Sequence, residues 1–230
     1  MAFLAVGITA NAETMTVSAA NENDSKGGVD LGKGKDEDDR WSMHFYLGVD
    51  VPTGAPDGMK FAPFRSWEIG WTIAQYDYTP KNSKTTLSAG LGLNWRNYTL
   101  SGHDKLFAKV TDQVVMGKPL TNMDDLSSKI HTVSLNMPLL VSQQFSKHFG
   151  ISLGAQLNWN YYGRVNNYYN DGDDEVNVST KNIGQRPFTV DVLGMVHVSR
   201  VSIYCKYSPM SVLKTDRGPE FKSLAFGIYF

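Results

Sequence analysis

From Trp41 to the end of the chain the hydrophobic period is two, and this one feature leaves few folds open. Trp41, Met43, Phe45, Leu47, Val49 and Val51 share one face, with Ser42, His44, Tyr46, Gly48 and Asp50 on the other. Trp67, Ile69, Trp71 and Ile73 stand opposite Glu68, Gly70, Thr72 and Ala74, and Leu87 to Trp95 opposite Ser88 to Arg96. The cleanest stretch sets Phe149, Ile151, Leu153, Ala155, Leu157, Trp159 and Tyr161 against Gly150, Ser152, Gly154, Gln156, Asn158 and Asn160. Further strands are expected at about 130–144, 187–198, 201–208 and 220–230, less regular in pattern. Such alternation marks strands with one apolar face. No run approaches the roughly 18 apolar residues a membrane-crossing helix needs.

The composition of the second face says which way the strands point. It is dominated by Gly, Ser, Ala, Thr and Asn, with few of the Lys and Glu that a solvated face carries. Small uncharged residues suit the crowded lumen of an eight-stranded barrel, which leaves the apolar face to lipid. Connections alternate as well: tight turns at Lys81-Asn82-Ser83, Ser146-Lys147-His148 and Ser199-Arg200 separate longer loops, two of them at about 101–128 and 163–185. The pattern therefore predicts an all-β, eight-stranded antiparallel up-and-down transmembrane barrel over residues 41–230. It has short periplasmic turns and long extracellular loops. Under this topology Trp41, Phe149 and Phe230 form one aromatic girdle, and Trp67, Trp95, Trp159, Tyr161, Phe188 and Tyr207 the other. Trp71 falls between the belts. Pro138, in mid-strand, donates nothing to a ladder, so a bulge or break is expected there.

The N-terminal stretch agrees with an exported chain. Residues 1–12 hold the apolar run Phe3 to Ile8 and an Ala10-Asn11-Ala12 cleavage pattern, and read as a signal peptide whose basic region is missing, as if translation began upstream of Met1. Residues 13–40, polar and ending in Asp36-Glu37-Asp38-Asp39, bury too little apolar surface to order themselves and read as a flexible periplasmic leader. With 22 Lys and Arg against 23 Asp and Glu, no basic field points to nucleic acid. The single cysteine, Cys205, excludes an internal disulfide and falls on the lipid face as a small hydrophobe.

The last residues, Leu224, Phe226, Ile228 and Phe230, place apolar side chains at alternate positions before a terminal aromatic. This resembles the C-terminal signal read by the bacterial outer-membrane assembly machinery. Leu135-Asn136-Met137-Pro138-Leu139-Leu140 and Lys206-Tyr207-Ser208-Pro209 resemble segments of the PorT-like, porin-family outer-membrane β-barrel proteins of Bacteroidota. The resemblance implies a Gram-negative outer-membrane barrel and a proline at the place of Pro138; it does not imply a function.

Candidate chemistry is confined to the lumen and the loops. Asp50, Glu68 and Arg96 lie on consecutive strands near their outer ends, and Asp191 and Lys206 are expected to face each other at similar height. In a narrow lumen such charges must pair, as a structural network closing the pore. His44 and His197 point inward near the periplasmic end; with no third ligand in sight they read as hydrogen-bonded rather than metal-binding. His131, on the lipid side, has no matching serine and carboxylate, so no catalytic set is visible. Asp171-Gly172-Asp173-Asp174-Glu175 lacks the ligand spacing of a calcium loop, and Gly90-Leu91-Gly92 has Trp95 at the third glycine position of a dinucleotide motif. No metal or cofactor is expected. The expected role is non-enzymatic, structural or interactive, through long loops whose Lys105-Leu106-Phe107, Val114-Val115-Met116 and Tyr168-Tyr169 pack on one another or on a protein partner. Expected partners are outer-membrane lipid and lipopolysaccharide, and the assembly machinery during biogenesis, with no nucleic acid. Rival readings are a narrow channel, an outer-membrane lipid-modifying enzyme and a soluble lipocalin-like carrier.

Overall fold

A computed structural model describes residues 40–119, 124–171, 174–199 and 201–230. The segments expected as signal peptide and leader, the acidic run at 36–39, Gly172, Asp173 and Arg200 lie outside the described residues. No described helix is long and apolar enough to cross a membrane.

Eight antiparallel strands close into a ring: β1 (Trp41–Thr53), β2 (Trp67–Tyr78), β3 (Thr85–Thr99), β6 (Asp124–Ser146), β7 (Phe149–Asp171), β9 (Phe188–Val198), β10 (Val201–Ser208) and β11 (Lys222–Tyr229). Each pairs with its sequence neighbour in the ring, and β1 pairs with β11 to shut it. Three more strands lie at the long-loop end. The hairpin β4 (Leu106–Val110) and β5 (Gln113–Gly117) stands apart, and β8 (Asp174–Lys181) extends β7 above the ring.

The register defines the barrel. Stepping strand by strand from Trp41 through Tyr76, Ala89, Leu139, Ala155, Val192, Tyr207 and Leu224 returns to β1 at Val51, ten residues further on. A shear of that size with eight strands tilts the strands by about 40° and leaves an interior only wide enough for side chains.

The faces are those of an inside-out globule. Leu153 is 63 % exposed, and Leu47, Leu91, Val141, Val192, Ile203 and Phe226 are likewise outward and exposed. The buried set facing the lumen is largely polar: Thr72, Ser88, Asn94, Asn136, Ser152, Gln156 and their neighbours.

Two bulges correct the sequence reading. Ile73 and Ala74 together oppose one residue of each neighbouring strand, so the inward face passes from Thr72 to Gln75, and Ala74 does not belong to the lumen. In β7 an extra residue between Trp159 and Tyr162 flips the face again, and Gly163 and Val165 turn inward. That flip hides the continuation of the strand in the sequence. β7 runs ten residues past Tyr161, so the segments expected as loops at 101–128 and 163–185 are largely sheet. At Pro138 the ladder to β3 is interrupted between Ala89–Leu139 and Gly92–Asn136 without a register shift, while pairing to β7 continues through Gln156. The proline causes a break and no bulge.

Glycines make room for the large lumen side chains. A methyl group at Gly70 would lie 1.9 Å from the Tyr46 ring, and one at Gly48 2.2 Å from the Tyr204 hydroxyl. Tyr46 stacks on Tyr229, ring centres 5.9 Å apart, and meets Tyr204 edge-on at 5.6 Å. Gly70→Ala is expected to cost about 1–3 kcal/mol through overpacking. Gly117→Ala, with open space around the new methyl, should shift the urea midpoint of the refolded protein little by comparison.

Candidate functional site

The lumen is filled in layers. Nearest the short turns, His197 bonds through Nδ1 to Ser202 (2.7 Å) and through Nε2 to Ser152, which in turn bonds Ser142 (2.6 Å). His44 contacts Ser42 (2.9 Å) and the Phe230 carbonyl (3.1 Å), and its ring packs 5.0 Å from that of Tyr229. The two histidines thus serve separate hydrogen-bond sets. No group of three or more metal-ligating side chains occurs among the described residues. A serine–histidine contact exists at Ser152, and the group at the other ring nitrogen, Nδ1, is the Ser202 hydroxyl.

Above this comes an apolar and aromatic layer of Tyr46, Tyr204, Tyr229, Leu140, Leu193, Met195 and Ala225. The charged layer follows. Glu68 is its hub: Oε2 is 2.7 Å from Lys206 Nζ and accepts from Arg96 Nε at 3.2 Å, while Oε1 accepts from the Tyr204 hydroxyl at 2.7 Å. Arg96 reaches across the lumen to Asp191, which also accepts from Asn158 (2.9 Å) and Ser208. Lys206 lies 4.7 Å from the centre of the Tyr46 ring, a cation–π contact on its apolar side.

Four of the five expected charges therefore form one connected set, in a different pairing from that expected. Asp191 and Lys206 do not pair with each other, because Val192 opposes Tyr207 and the register sets Ser208 beside Asp191. Asp50 accepts from Ser223 at 2.7 Å and makes no ion pair among the described residues. Glu68, directly opposite Gly48, holds Arg96 one step below Asp50. The neutral partners Tyr204, Asn94, Asn158 and Ser208 carry no sequence signal beyond an inward position beside a charge.

Over the charged layer sits a dry cap. Met59, Tyr98, Leu100, Phe107, Val114, Ile130, Val165, Ile183, Leu213 and Phe221 are buried together, drawn from every long connection. The Arg217–Asp112 ion pair (2.9 Å) and the hydrogen bond from Val114 N to the Arg217 carbonyl tie the β4–β5 hairpin to the last loop. Of the loop residues expected to pack on one another or on a partner, Phe107 and Val114 do the former, within this cap. Between cap and charges, the space lined by Arg96, Tyr98, Thr132 and Ser208 is about 10 Å³, room for about one water.

On the outside, Trp41, Phe149 and Phe230 stand at the short-turn end, and Trp67, Trp95, Trp159, Tyr161, Phe188 and Tyr207 toward the long-loop end, all on the outer face. Eight residues separate Trp41 from Val49, the partner of Trp67, and at a 40° tilt this sets the two belts about 20 Å apart. Leu224, Phe226, Ile228 and Phe230 line the outer face of the closing strand, and Phe230 exchanges backbone hydrogen bonds with Phe45. Cys205 is exposed on that same outer face.

No protein-family model matches the chain, and no curated protein matches it. A solved structure it does resemble is that of Ail, the attachment invasion locus protein of Yersinia pestis, at 11 % identity and a TM-score of 0.35, covering 83 % of this chain and 97 % of that one. At that distance the likeness says nothing of what this chain binds or does. The PorT-like resemblance stays a likeness of short segments.

The hub predicts a non-additive mutant series. Removing one member of a buried charge set costs about 3–5 kcal/mol, because the other is left unpaired. Glu68→Gln should therefore destabilise strongly, and adding Lys206→Met should recover part of the loss. Urea unfolding of the four corner variants reads the coupling; strictly additive losses would mean that the two residues act independently.

Proposed function

We propose that this chain is an integral outer-membrane β-barrel, non-enzymatic and non-conducting, that acts as a membrane-anchored structural or interaction protein through its capped long-loop end. The observation that carries the reading is the inverted distribution: exposed aliphatic residues all round a closed ring of strands, polar residues within, and aromatic belts about 20 Å apart, close to the roughly 25 Å apolar band of such barrels. A closed ring also leaves no unpaired strand edge in lipid, where an unsatisfied backbone group is costly. A soluble carrier is disfavoured because its apolar residues would line a ligand cavity, whereas these face outward. A channel is disfavoured by three filled layers and a cap.

The test is insertion. The refolded protein should remain monomeric only in detergent or lipid, and its unboiled and boiled forms should migrate differently on a denaturing gel. A water-soluble monomer would overturn the reading. In planar bilayers it should give no steady conductance, and sustained single-channel currents would favour the channel. Leu153→Arg, at mid-height on the outer face, should cost about 2–4 kcal/mol in vesicles, as a cation facing the lipid midplane does.

A further inference from the structure

We infer that the barrel carries a specific site for the phosphate groups of outer-leaflet lipopolysaccharide, built from Arg65, Lys129, His131, Arg164 and Lys181 on one side of its long-loop rim. The inference rests on the membrane reading above and adds to it a defined patch and a ligand chemistry.

The register brings the cations together. Trp67, Asn97, His131, Arg164 and Lys181 occupy one continuous row across β2, β3, β6, β7 and β8. Lys129 is two residues further along β6 on the same face, opposite Thr99 and Asn166. Arg65, on the 3-10 turn Pro63–Arg65, donates from Nη2 to Ser127 (2.9 Å), which brings it beside Lys129. Neighbouring strands lie about 4.8 Å apart, so these groups fall within reach of one or two phosphates.

Their depth is right for head groups. Because of the shear, a row climbs toward the long-loop end by about 3 Å per strand. The row begins at Trp67 in the upper aromatic belt, so His131, Arg164 and Lys181 stand about 5–15 Å beyond it, above the apolar band. Phe64, 93 % exposed, flanks Arg65 at the same rim. Tyr168, whose ring lies 5.5 Å from Lys129 Nζ, borders the other side.

Arg65, Lys129, Arg164 and Lys181 have no counter-ion among the described residues. Arg164 Nε is shielded from solvent and has no hydrogen-bond partner. The acidic side chains Asp174 and Glu175 lie at the hairpin tip, at least six residues beyond Lys181, about 20 Å away and more than a Debye length, while Asp125, four residues from Lys129 along β6, accepts from Asn170 and makes no ion pair. Burial and the adjacent Arg65 charge lower the pKa of the Lys129 ammonium, and burial and Arg164 lower that of His131, which near neutral pH is therefore a mostly uncharged imidazole that joins the four cations as a hydrogen-bond donor. Both lie beyond the spanning band. Cations crowded without an anion at head-group depth have the charge complementarity for a bound polyanion. A guanidinium fork suits phosphate in particular, by two parallel hydrogen bonds.

The experiment uses the refolded chain in detergent, first shown to be heat-modifiable so that failure to fold as a membrane barrel is scored separately. Labelled rough-type lipopolysaccharide is titrated against wild type, against the double variant Lys129→Gln, Arg164→Gln, and against Lys222→Gln, an isolated exposed lysine on β11. The double variant is expected to lose tenfold or more in affinity. Enzymatically dephosphorylated lipopolysaccharide should bind wild type that weakly too, and Lys222→Gln should bind like wild type. Unchanged binding by the double variant, or an equal loss in Lys222→Gln, overturns the site. Competition by inorganic phosphate at low millimolar concentration would show a free-anion site and overturn the assignment to lipid.

Discussion

Closure of the backbone ladder between β1 and β11, with a ten-residue shear round the ring, is the constraint on which the rest of this molecule depends. Each strand gains two partners, so the ring has no edge at which backbone groups go unpaired. The same shear sets tilt and radius, and with them the width of the interior. An interior this narrow admits side chains and little else. The terminal residue belongs to the closure: Phe230 and Phe45 exchange hydrogen bonds at the seam, while the Phe230 ring faces outward.

Narrowness then dictates lumen chemistry. A charge taken into such a space needs a partner, and here Glu68 gathers Arg96, Lys206 and Tyr204, while Arg96 bridges to Asp191 on the far wall. Glycines on the wall yield the space for Tyr204 at Gly48 and for Tyr46 at Gly70. Above the charges the chain changes character and builds a dry cluster from its loops, of the kind found inside a soluble domain. The molecule thus joins an inverted barrel to a conventionally packed cap. With the interior filled, whatever the protein recognises must meet its surface, whose chemistry differs by level: aliphatic on the band, aromatic at the belts, cationic on one side of the rim. The fold itself names no partner.

Much of this was legible in the sequence, for a physical reason. Side chains alternate strictly across a strand, so period-two patterning reports faces without any knowledge of neighbours. The outward set at Leu47, Leu153 and Phe226, the inward set at Asn94, Ser152 and Asp191, the short turns and both aromatic belts all follow from local pattern. The pattern misleads where backbone geometry changes it. Bulges at Ile73–Ala74 and near Tyr161 flip the faces, and neither leaves a mark in composition, so period alone puts Ala74 inside and ends β7 ten residues early.

The sequence alone determined the class of fold, the direction of the faces away from the bulges and which charges are buried in the lumen, because these depend on local period. Only the tertiary structure decided which charges pair. Asp191 lies beside Ser208 by register, and the length of the Arg96 side chain carries it across the barrel. Only the tertiary structure, likewise, decided that Phe107 and Val114 pack on other loops, in a sealed cap, and not on a partner. It also gathered Arg65, Lys129 and Arg164, far apart in the chain, onto one rim. Pairings of that kind depend on register and shear summed around a closed ring, and no local stretch of sequence carries them.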